Sequence, residues 1–353
     1  MEKWQSNKGH EDSKNQFNAP KKNTTTLELL DSDLLVPLEQ YNRYLVIFFV
    51  LISLYQYFIL PFLLPETGIL LILNLLPLML VNNSFWSLIH EGIHSKLSMN
   101  RRGNDTMSRL LAICFGSPFR AIQQAHLLHH KYNRTAMERH GEYHPALLSP
   151  RIAQLAFYFR LFIGLYIQEL FFPLIALLSR KTLKTKLTKY FPANSYQLIA
   201  IERFLKKKNN LPETRVDLLF IFSMFFLSFY CYGSHWPVLI ILMMARALFI
   251  SVSDYSYHYG SKTDDVYFAF NFKLPTCFAI FILNFNYHGT HHRFPRLPWH
   301  VLPIVFASEG RNFEYNFFHG LARQLRGPRP VSSMALNDKV KSTKSCLNQL
   351  PEQ

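Results

Sequence analysis

Long apolar stretches alternate with polar segments along this chain, and their lengths predict the main elements of the fold. Tyr44 to Leu64 and Thr67 to Ile89 contain no charged residue and are joined by the short turn "PET". Each reaches the roughly 20 apolar residues that a helix needs to cross a bilayer. A third apolar stretch, from Thr214 to Asp254, is broken by "GSHWP". The pattern predicts four transmembrane helices arranged as two hairpins.

One further apolar segment, residues 152–178, is long enough to span a membrane but contains Arg160, Glu169 and Pro173. If it crossed once, the polar regions before and after it would lie on opposite sides of the membrane. We therefore predict an interfacial or re-entrant segment. The polar regions at residues 90–215 and 255–326 are then expected to form one helical cap on a single face.

The composition agrees with a membrane protein, because 49% of the 353 residues are hydrophobic, 15% aromatic and only 17% charged. We expect an all-α integral membrane protein with a membrane domain at residues 44–326 and polar tails at residues 1–43 and 327–353. No secretory signal is expected before the first span, since residues 1–43 contain no short apolar run. The four cysteines are scattered, which favours neither a disulfide framework nor a zinc ribbon.

Basic residues are concentrated in one loop. Residues 180–215 hold ten Lys or Arg against two Glu, whereas the turns "PET" and "GSH" hold no Lys or Arg. This asymmetry predicts that the loop is cytoplasmic, together with both termini and the cap. Attraction to anionic lipid headgroups is the simplest further role of the charge. A nucleic-acid partner is not expected despite the net charge of +15, because no soluble module interleaves basic and aromatic residues.

Histidines cluster in three short motifs of the predicted cap, "HEGIH", "HLLHH" and "HGTHH". Spacings of three and four residues place such side chains on one side of a helix. Three clusters with nearly the same spacing indicate metal ligands rather than scattered surface histidines. The motifs hold 8 of the 15 histidines, namely His90, His94, His126, His129, His130, His288, His291 and His292.

The number of histidines bears on the kind of metal. Read alone, "HEGIH" is the zinc-protease pattern, with Glu91 as general base. A catalytic zinc takes three protein ligands and a structural zinc takes four, so eight imidazoles suit two metals. Imidazole binds iron as well as zinc or copper, and zinc has no redox chemistry. Glu91 is then expected to orient an imidazole, and its role as general base is the alternative.

The three motifs together resemble those of the membrane fatty acid desaturases and their relatives, the hydroxylases and carotenoid ketolases. The resemblance rests on the pattern HxxxH, HxxHH, HxxHH and on the phrases "NRRGND" and "HHRFPRLPWHVLP", and it covers roughly residues 45–320. It implies a centre of two iron ions that activates dioxygen at the cytoplasmic ends of four transmembrane helices. It also implies a ninth ligand, His258 in "SVSDYSYHYG", and a water-mediated or indirect partner at Asp254. Relatives carry an asparagine at the latter position, so the role of the acid is open.

An unactivated C–H bond requires a redox metal as oxidant, and a centre at the ends of apolar spans requires a substrate that dissolves in the membrane. We therefore expect a long-chain acyl lipid or another hydrocarbon as substrate, with O2 and a separate ferredoxin-type or cytochrome b5-type electron donor. Desaturation is preferred because it is the commonest reaction of the resembling family. Hydroxylation or ketolation is the alternative, and a zinc metalloprotease or a metal transporter is an alternative from another class.

Several side chains near the ends of the spans have two interpretations. Trp86, Phe85, Phe249 and Tyr257 either line the mouth of a substrate tunnel or pack as ordinary aromatic residues of the membrane interface. Arg246, inside a predicted span, either meets an anionic headgroup or pairs with a buried carboxylate or carbonyl group. Five further histidines lack paired spacing and are expected to be structural; they are His140, His144, His235, His300 and His319.

Overall fold

The computed structural model describes residues 36–64, 69–139, 141–164, 171–191 and 195–331. Within these ranges the protein is mostly helical, as predicted, although it also contains four two-residue strands. The helices are α1 (Glu39–Leu54), α2 (Ile69–Leu80), α3 (Asn82–Ile93), α4 (Arg101–Phe115), α5 (Phe119–Tyr132), α6 (Pro150–Phe159), α7 (Arg180–Tyr190), α8 (Tyr196–Lys206), α9 (Asn210–Tyr232), α10 (Trp236–Ser256), α11 (Thr276–Phe281), α12 (His288–Arg293), α13 (Leu302–Ser308) and α14 (Phe317–Arg323). The strands are β1 (Glu142–Tyr143), β2 (Phe272–Lys273), β3 (Tyr315–Asn316) and β4 (Arg329–Pro330).

The first predicted hairpin corresponds to α1, α2 and α3. α1 begins five residues before the predicted span and continues through short turns to Phe62. The second predicted span is two helices of 12 residues that meet at Val81. At this junction the side-chain amide of Asn82 donates to the carbonyl groups of Leu78 and Met79, at 3.0 and 2.8 Å. A side chain that binds helix carbonyls in this way competes with the backbone ladder, which accounts for the interruption.

The second predicted hairpin corresponds to α9 and α10, which are joined by a short turn at Gly233–His235. Gly233 has a φ of +48°, a conformation that glycine adopts at little cost. Both helices contact Tyr57 of the first hairpin. The backbone carbonyl of Tyr57 accepts from the Ser228 hydroxyl at 3.1 Å, and the phenol oxygen of Tyr57 accepts from the Arg246 guanidinium at 3.0 Å. On one straight helix, Ser228 and Arg246 would be about 27 Å apart. The chain therefore folds back at the turn.

Two continuous stretches have the length and apolar composition of a membrane-crossing helix, Glu39–Phe62 and Asn210–Ser256. The second contains both helices of the α9–α10 hairpin. The continuation of α1, Tyr55–Phe62, packs on α9, and α2 packs on α10. All four helices also expose large apolar side chains on their outer sides. Examples are Ile47, Phe48, Leu51, Leu73, Leu76, Leu80, Leu219, Phe222, Phe226, Ile241, Met244 and Leu248.

The polar part of the chain is fastened to the start of α9 by ion pairs. Arg109 of α4 contacts Asp217 at 2.6 Å, with the carboxylate fully buried. Arg120 of α5 lies between Asp105 and Glu213, at 2.7 Å from each. Arg109 therefore joins α4 to α9, and Arg120 fixes the position of α5 against both of these helices.

The segment predicted as interfacial or re-entrant begins with α6 and one wider turn, Arg160–Gly164. This turn packs on α10, where the Ser251 hydroxyl donates to the Leu161 carbonyl at 2.7 Å. A short turn at Phe172–Leu177 follows, and Glu169 lies outside the described residues. The placement of this segment relative to a membrane stays a prediction.

The predicted tails lie mostly outside the described residues, which begin at residue 36 and end at residue 331. The first residues of the predicted C-terminal tail belong to the fold, because β4 pairs in parallel with β1. The Arg329 N–H donates to the Gly141 carbonyl at 2.6 Å, and the Val331 N–H donates to Tyr143 at 2.9 Å.

Candidate metal centre

The structure brings all nine predicted ligand histidines together in two groups. Within each group, the nitrogen atoms available for a metal lie within 4.8 Å of one another. One group has five members and combines all three motifs, and the other has four and includes the isolated ninth histidine. The first group is His90, His94, His126, His130 and His291, and the second is His129, His258, His288 and His292.

The Nε2 atoms form two chains of short contacts. In the first group, the His126 Nε2 is 3.1 Å from that of His94 and 2.9 Å from that of His130, which is 3.1 Å from that of His291. In the second group, the His288 Nε2 is 3.1 Å from those of His258 and His292, and His129 is 3.3 Å from His292. Two nitrogens bound at about 2.1 Å to one metal and at right angles are about 3.0 Å apart. The spacing therefore fits two metal ions.

The protonation of these rings also fits a metal. Burial lowers the pKa of His94 to about 3, and neighbouring charges reinforce the effect. Burial is the main cause, and the charges of nearby imidazoles the second, that lower the pKa of five more histidines well below the ordinary value. These are His90, His126, His130, His291 and His292. A neutral imidazole can offer an Nε2 lone pair to a cation, so this cluster of neutral rings suits bound metal. The buried His90 Nε2 also has no hydrogen-bond partner among the described residues.

The first motif ends α3, with His94 as the C-cap residue. Gly92 between the two histidines allows α4 to approach closely, because a Cβ there would lie 2.2 Å from the Ser108 hydroxyl oxygen. The Asn104 side chain donates to the Gly92 carbonyl at 3.0 Å and accepts from the Leu97 N–H at 3.0 Å. Asn104 closes the end of the helix that carries the motif, and it belongs to the phrase "NRRGND" that supported the family resemblance.

The second motif lies on the last two turns of α5. Within it, the His129 Nδ1 is 2.8 Å from the Glu138 carboxylate. Burial disfavours the charged form of His129, but the charge and hydrogen bond of Glu138, with a contribution from Asp254, raise its pKa above the ordinary value. Glu138 was not among the residues predicted from the sequence. Its only sequence signal is an acid nine residues after a ligand histidine, a spacing with no helical meaning.

The third motif forms the short helix α12, which packs against the chain at residues 269–271. A Cβ on Gly289 would lie 2.2 Å from the Ala269 carbonyl oxygen, so only glycine fits at this position without movement. The Gly289 N–H donates to the Phe270 carbonyl at 3.2 Å. The Asn271 side chain accepts from the Thr290 N–H at 2.9 Å. These contacts hold the start of the helix against the buried segment 269–271, which precedes β2.

His258 follows the end of α10 and is fully buried. The structure places it in the second group, where the family resemblance predicts a ligand. Asp254 lies on the last turn of α10, is half-buried and acts on His129 through its charge. Its role toward a metal stays a prediction. Of the histidines expected to be structural, His144, His235, His300 and His319 belong to neither group. His140 lies outside the described residues.

Glu91 has a different contact from the one we expected. Its carboxylate accepts from the backbone N–H of Trp299 at 3.1 Å, and no hydrogen bond to an imidazole is present among the described residues. Burial raises its pKa to about 8, against the opposing effects of the Trp299 N–H and Lys96. Trp299 also donates its indole N–H to Asn42 at 3.4 Å. Glu91 therefore joins the helix of the first motif to the loop that follows the third.

Aromatic side chains cover one side of the two groups. The Trp86 ring is 6.5 Å from His126, and the Tyr257 ring is 4.8 Å from His288. Phe285, which we had not singled out, is 5.0 Å from His90. Phe85 packs in the same buried cluster, whereas Phe249 is half-buried. Arg246 donates to the Tyr57 hydroxyl, and its guanidinium lies 4.8 Å from the centre of the Phe115 ring.

Comparison with known proteins agrees with this geometry. The model of a family described as "Fatty acid desaturase" matches residues 67–319, more than half of the chain. The match includes all nine histidines of the two groups and confirms the resemblance inferred from the motifs. Searches of curated proteins and of solved structures found no match.

Proposed function

Because the chain belongs to the fatty acid desaturase family, we propose that it is a membrane-bound di-iron oxidoreductase that desaturates long acyl chains. The observation that carries this proposal is the division of nine buried or half-buried imidazoles into groups of five and four. Membership of the family supports an oxidoreductase of the desaturase or hydroxylase type. The choice of desaturation over hydroxylation is our more specific proposal.

The two groups would hold one iron each. Bound iron would supply the oxidising power toward dioxygen and C–H bonds that amino-acid side chains lack. The carboxylate of Glu138 keeps a proton on Nδ1 of His129, so that the Nε2 lone pair of this ring faces the other members of its group. The aromatic side chains of Trp86, Phe285 and Tyr257 exclude water from the imidazoles and offer an apolar surface to a hydrocarbon chain.

In the proposed reaction, O2 accepts two hydrogen atoms from adjacent carbons of the acyl chain, together with two electrons and two protons. The products are one carbon–carbon double bond and two water molecules. The electrons come from a separate donor of the ferredoxin or cytochrome b5 type. A hydroxylase or ketolase of the same family would instead insert oxygen into the chain or into a carotenoid. The zinc-protease alternative gains no support, because Glu91 binds a backbone N–H and His90 and His94 belong to a group of five.

We further propose that the two hairpins cross the membrane four times, with the cap, the basic loop and both termini on the cytoplasmic side. The apolar outer sides of α1, α2, α9 and α10 support this arrangement, since exposed apolar surface of that extent suits lipid rather than water. The excess of Lys and Arg at residues 180–215 supports the orientation.

The metal content tests the first part of the proposal. Purified full-length protein is expected to contain about two irons per chain, and His129→Ala is expected to lose iron together with activity. His319→Ala is the matched control, because this exposed histidine belongs to neither group. Full iron content in the His129→Ala protein, or stoichiometric zinc with activity that survives removal of iron, contradicts the proposal.

The reaction is tested by expressing the chain with an electron donor in a host that lacks the activity, followed by mass spectrometry of acyl lipids and carotenoids. We expect acyl chains that have lost two hydrogens, and we expect none in cells that carry His292→Ala. Acyl chains or carotenoids that gain oxygen without a new double bond would establish the hydroxylase or ketolase alternative.

A further inference from the structure

An apolar groove lies on α5, on a different side from its three ligand histidines. On a helix, Ala121, Gln124 and Ala125 share one side, and the histidines at 126, 129 and 130 occupy the neighbouring side. The groove is small, with a volume of about 50 Å³, and its surface is almost wholly apolar. No imidazole lines it. Its walls come from α5, the turn at Phe172–Leu177, α7, α8 and the first turns of α9.

One polar group inside the groove lacks a partner. Thr214 is fully buried and lines the groove, and its hydroxyl has no hydrogen-bond partner among the described residues. A buried hydroxyl without a partner is unfavourable, and a bound molecule that offers an oxygen atom would satisfy it. The groove therefore requires an occupant that is mostly apolar and carries at least one acceptor oxygen.

Positive charge surrounds the groove. α7 and α8 form two of its walls, and they lie within the segment that holds ten Lys or Arg against two Glu. Lys181 and Lys184 are exposed on α7 on either side of Leu183, which lines the groove. One of the two acids, Glu213, is paired with Arg120. The rim therefore suits an anionic group.

The groove also lies where lipid is available. Thr214 is at the start of the long apolar stretch Asn210–Ser256, which has the composition of a membrane-crossing helix. Phe171, Leu177 and Leu178, which flank or form the turn at the wall, are exposed apolar residues. Exposed apolar residues beside a basic rim are typical of a surface in contact with lipid headgroups and the adjoining acyl chains.

We propose that this groove binds part of one acyl chain of an acidic phospholipid, with the phosphate against Lys181 and Lys184 and an ester oxygen near the Thr214 hydroxyl. The site is separate from the two histidine groups, because none of the nine histidines lines the groove. The bound chain packs against α5 and would support the helix that carries three of them. The inference does not depend on the reaction that the centre catalyses.

Native mass spectrometry of the full chain in detergent tests the site, with phosphatidylglycerol and phosphatidylcholine of identical acyl chains as probes. The wild-type protein is expected to retain one phosphatidylglycerol in preference to phosphatidylcholine. Ala200→Phe, which fills the groove, is expected to abolish this retention, and Ala200→Leu is expected to reduce it. Ala156→Phe is the matched control, because Ala156 is exposed on α6 and away from the groove.

A charge-reversed protein, Lys181→Glu with Lys184→Glu, is expected to lose at least about tenfold in affinity for phosphatidylglycerol and little for phosphatidylcholine. Equal binding of both lipids to the wild-type protein, or retention of phosphatidylglycerol by a folded Ala200→Leu protein at the wild-type level, would overturn the proposal. Tighter binding of a free fatty acid than of phosphatidylglycerol would also overturn it, in favour of a different occupant. Since lipid retention is read without turnover, failure here is distinct from failure of the proposed reaction.

Discussion

The two nitrogens of each imidazole have different tasks, and the contacts of Nδ1 decide which nitrogen faces a metal. A ring that donates its Nδ1 proton to a carboxylate presents the lone pair of Nε2. Glu138 does this for His129, at 2.8 Å, and the His129 Nε2 then lies 3.3 Å from that of His292. One carboxylate thus determines the orientation of a ligand in the group of four.

Glu138→Ala is therefore expected to weaken the retention of iron by about 10-fold to 100-fold. Glu138→Gln should have a smaller effect, because the amide oxygen still accepts the Nδ1 proton. The measurement is iron retained after dialysis against a chelator of graded concentration. Glu202→Ala, at an exposed acid on α8, is the control. Wild-type retention in Glu138→Ala would show that the contact does not orient the ligand.

Glu91 acts on the structure through a hydrogen bond, so its substitution should report on stability. Glu91→Leu leaves the buried Trp299 N–H without an acceptor, which costs about 1–3 kcal/mol. Glu91→Gln keeps an acceptor oxygen and should unfold at nearly the wild-type temperature. Thermal unfolding of the metal-free proteins in detergent separates the two. An equal drop in unfolding temperature in both variants would mean that the carboxylate has another role.

At the level of elements, features that depend on residues close in sequence could be predicted. Features that depend on long-range contacts could not. The histidine spacings and the Gly233 turn depend on residues close in sequence, so both could be predicted. The division into five and four depends on contacts such as that between His129 and His292, 163 residues apart. The Glu91–Trp299 bond joins residues 208 apart. The apolar pattern did not predict the interruption of the second span at Val81, where the Asn82 side chain binds helix carbonyls and Pro77 lies one turn earlier.

The close packing of α12 gives an element-scale prediction. Gly289→Ala places a methyl group 2.2 Å from the Ala269 carbonyl oxygen, so α12 or the segment at residues 269–271 must move. Overpacking of this kind costs about 1–3 kcal/mol, and the shift should also lower the iron content. Gly164→Ala is the control, because a Cβ there makes ordinary contacts of 3.4 Å or more. A Gly289→Ala protein with wild-type stability and iron content would show that this approach is not required.

For the molecule as a whole, charge and apolar surface must be consistent with one orientation. The outer sides of α1, α2, α9 and α10 are apolar, and His90, His94 and His258 lie at the ends of α3 and α10. In the proposed topology, the basic loop would lie on the same face of the membrane as these histidines. That arrangement would let a lipid chain reach the centre from the membrane and electrons reach it from a separate donor, so the proposed topology and the proposed function support each other.

The orientation predicts which sites an impermeant thiol reagent reaches in intact cells. In a background without the four native cysteines, Lys207→Cys in the basic loop is expected to stay unlabelled until the membrane is permeabilised. Ser234→Cys, in the turn between α9 and α10, should be labelled from outside, because this turn lies at the opposite end of both helices. Labelling of the cysteine at position 207 in intact cells would reverse the orientation. Protection of both positions would instead place the α9–α10 hairpin on one side, and the four-span arrangement would be wrong even if the iron centre were intact.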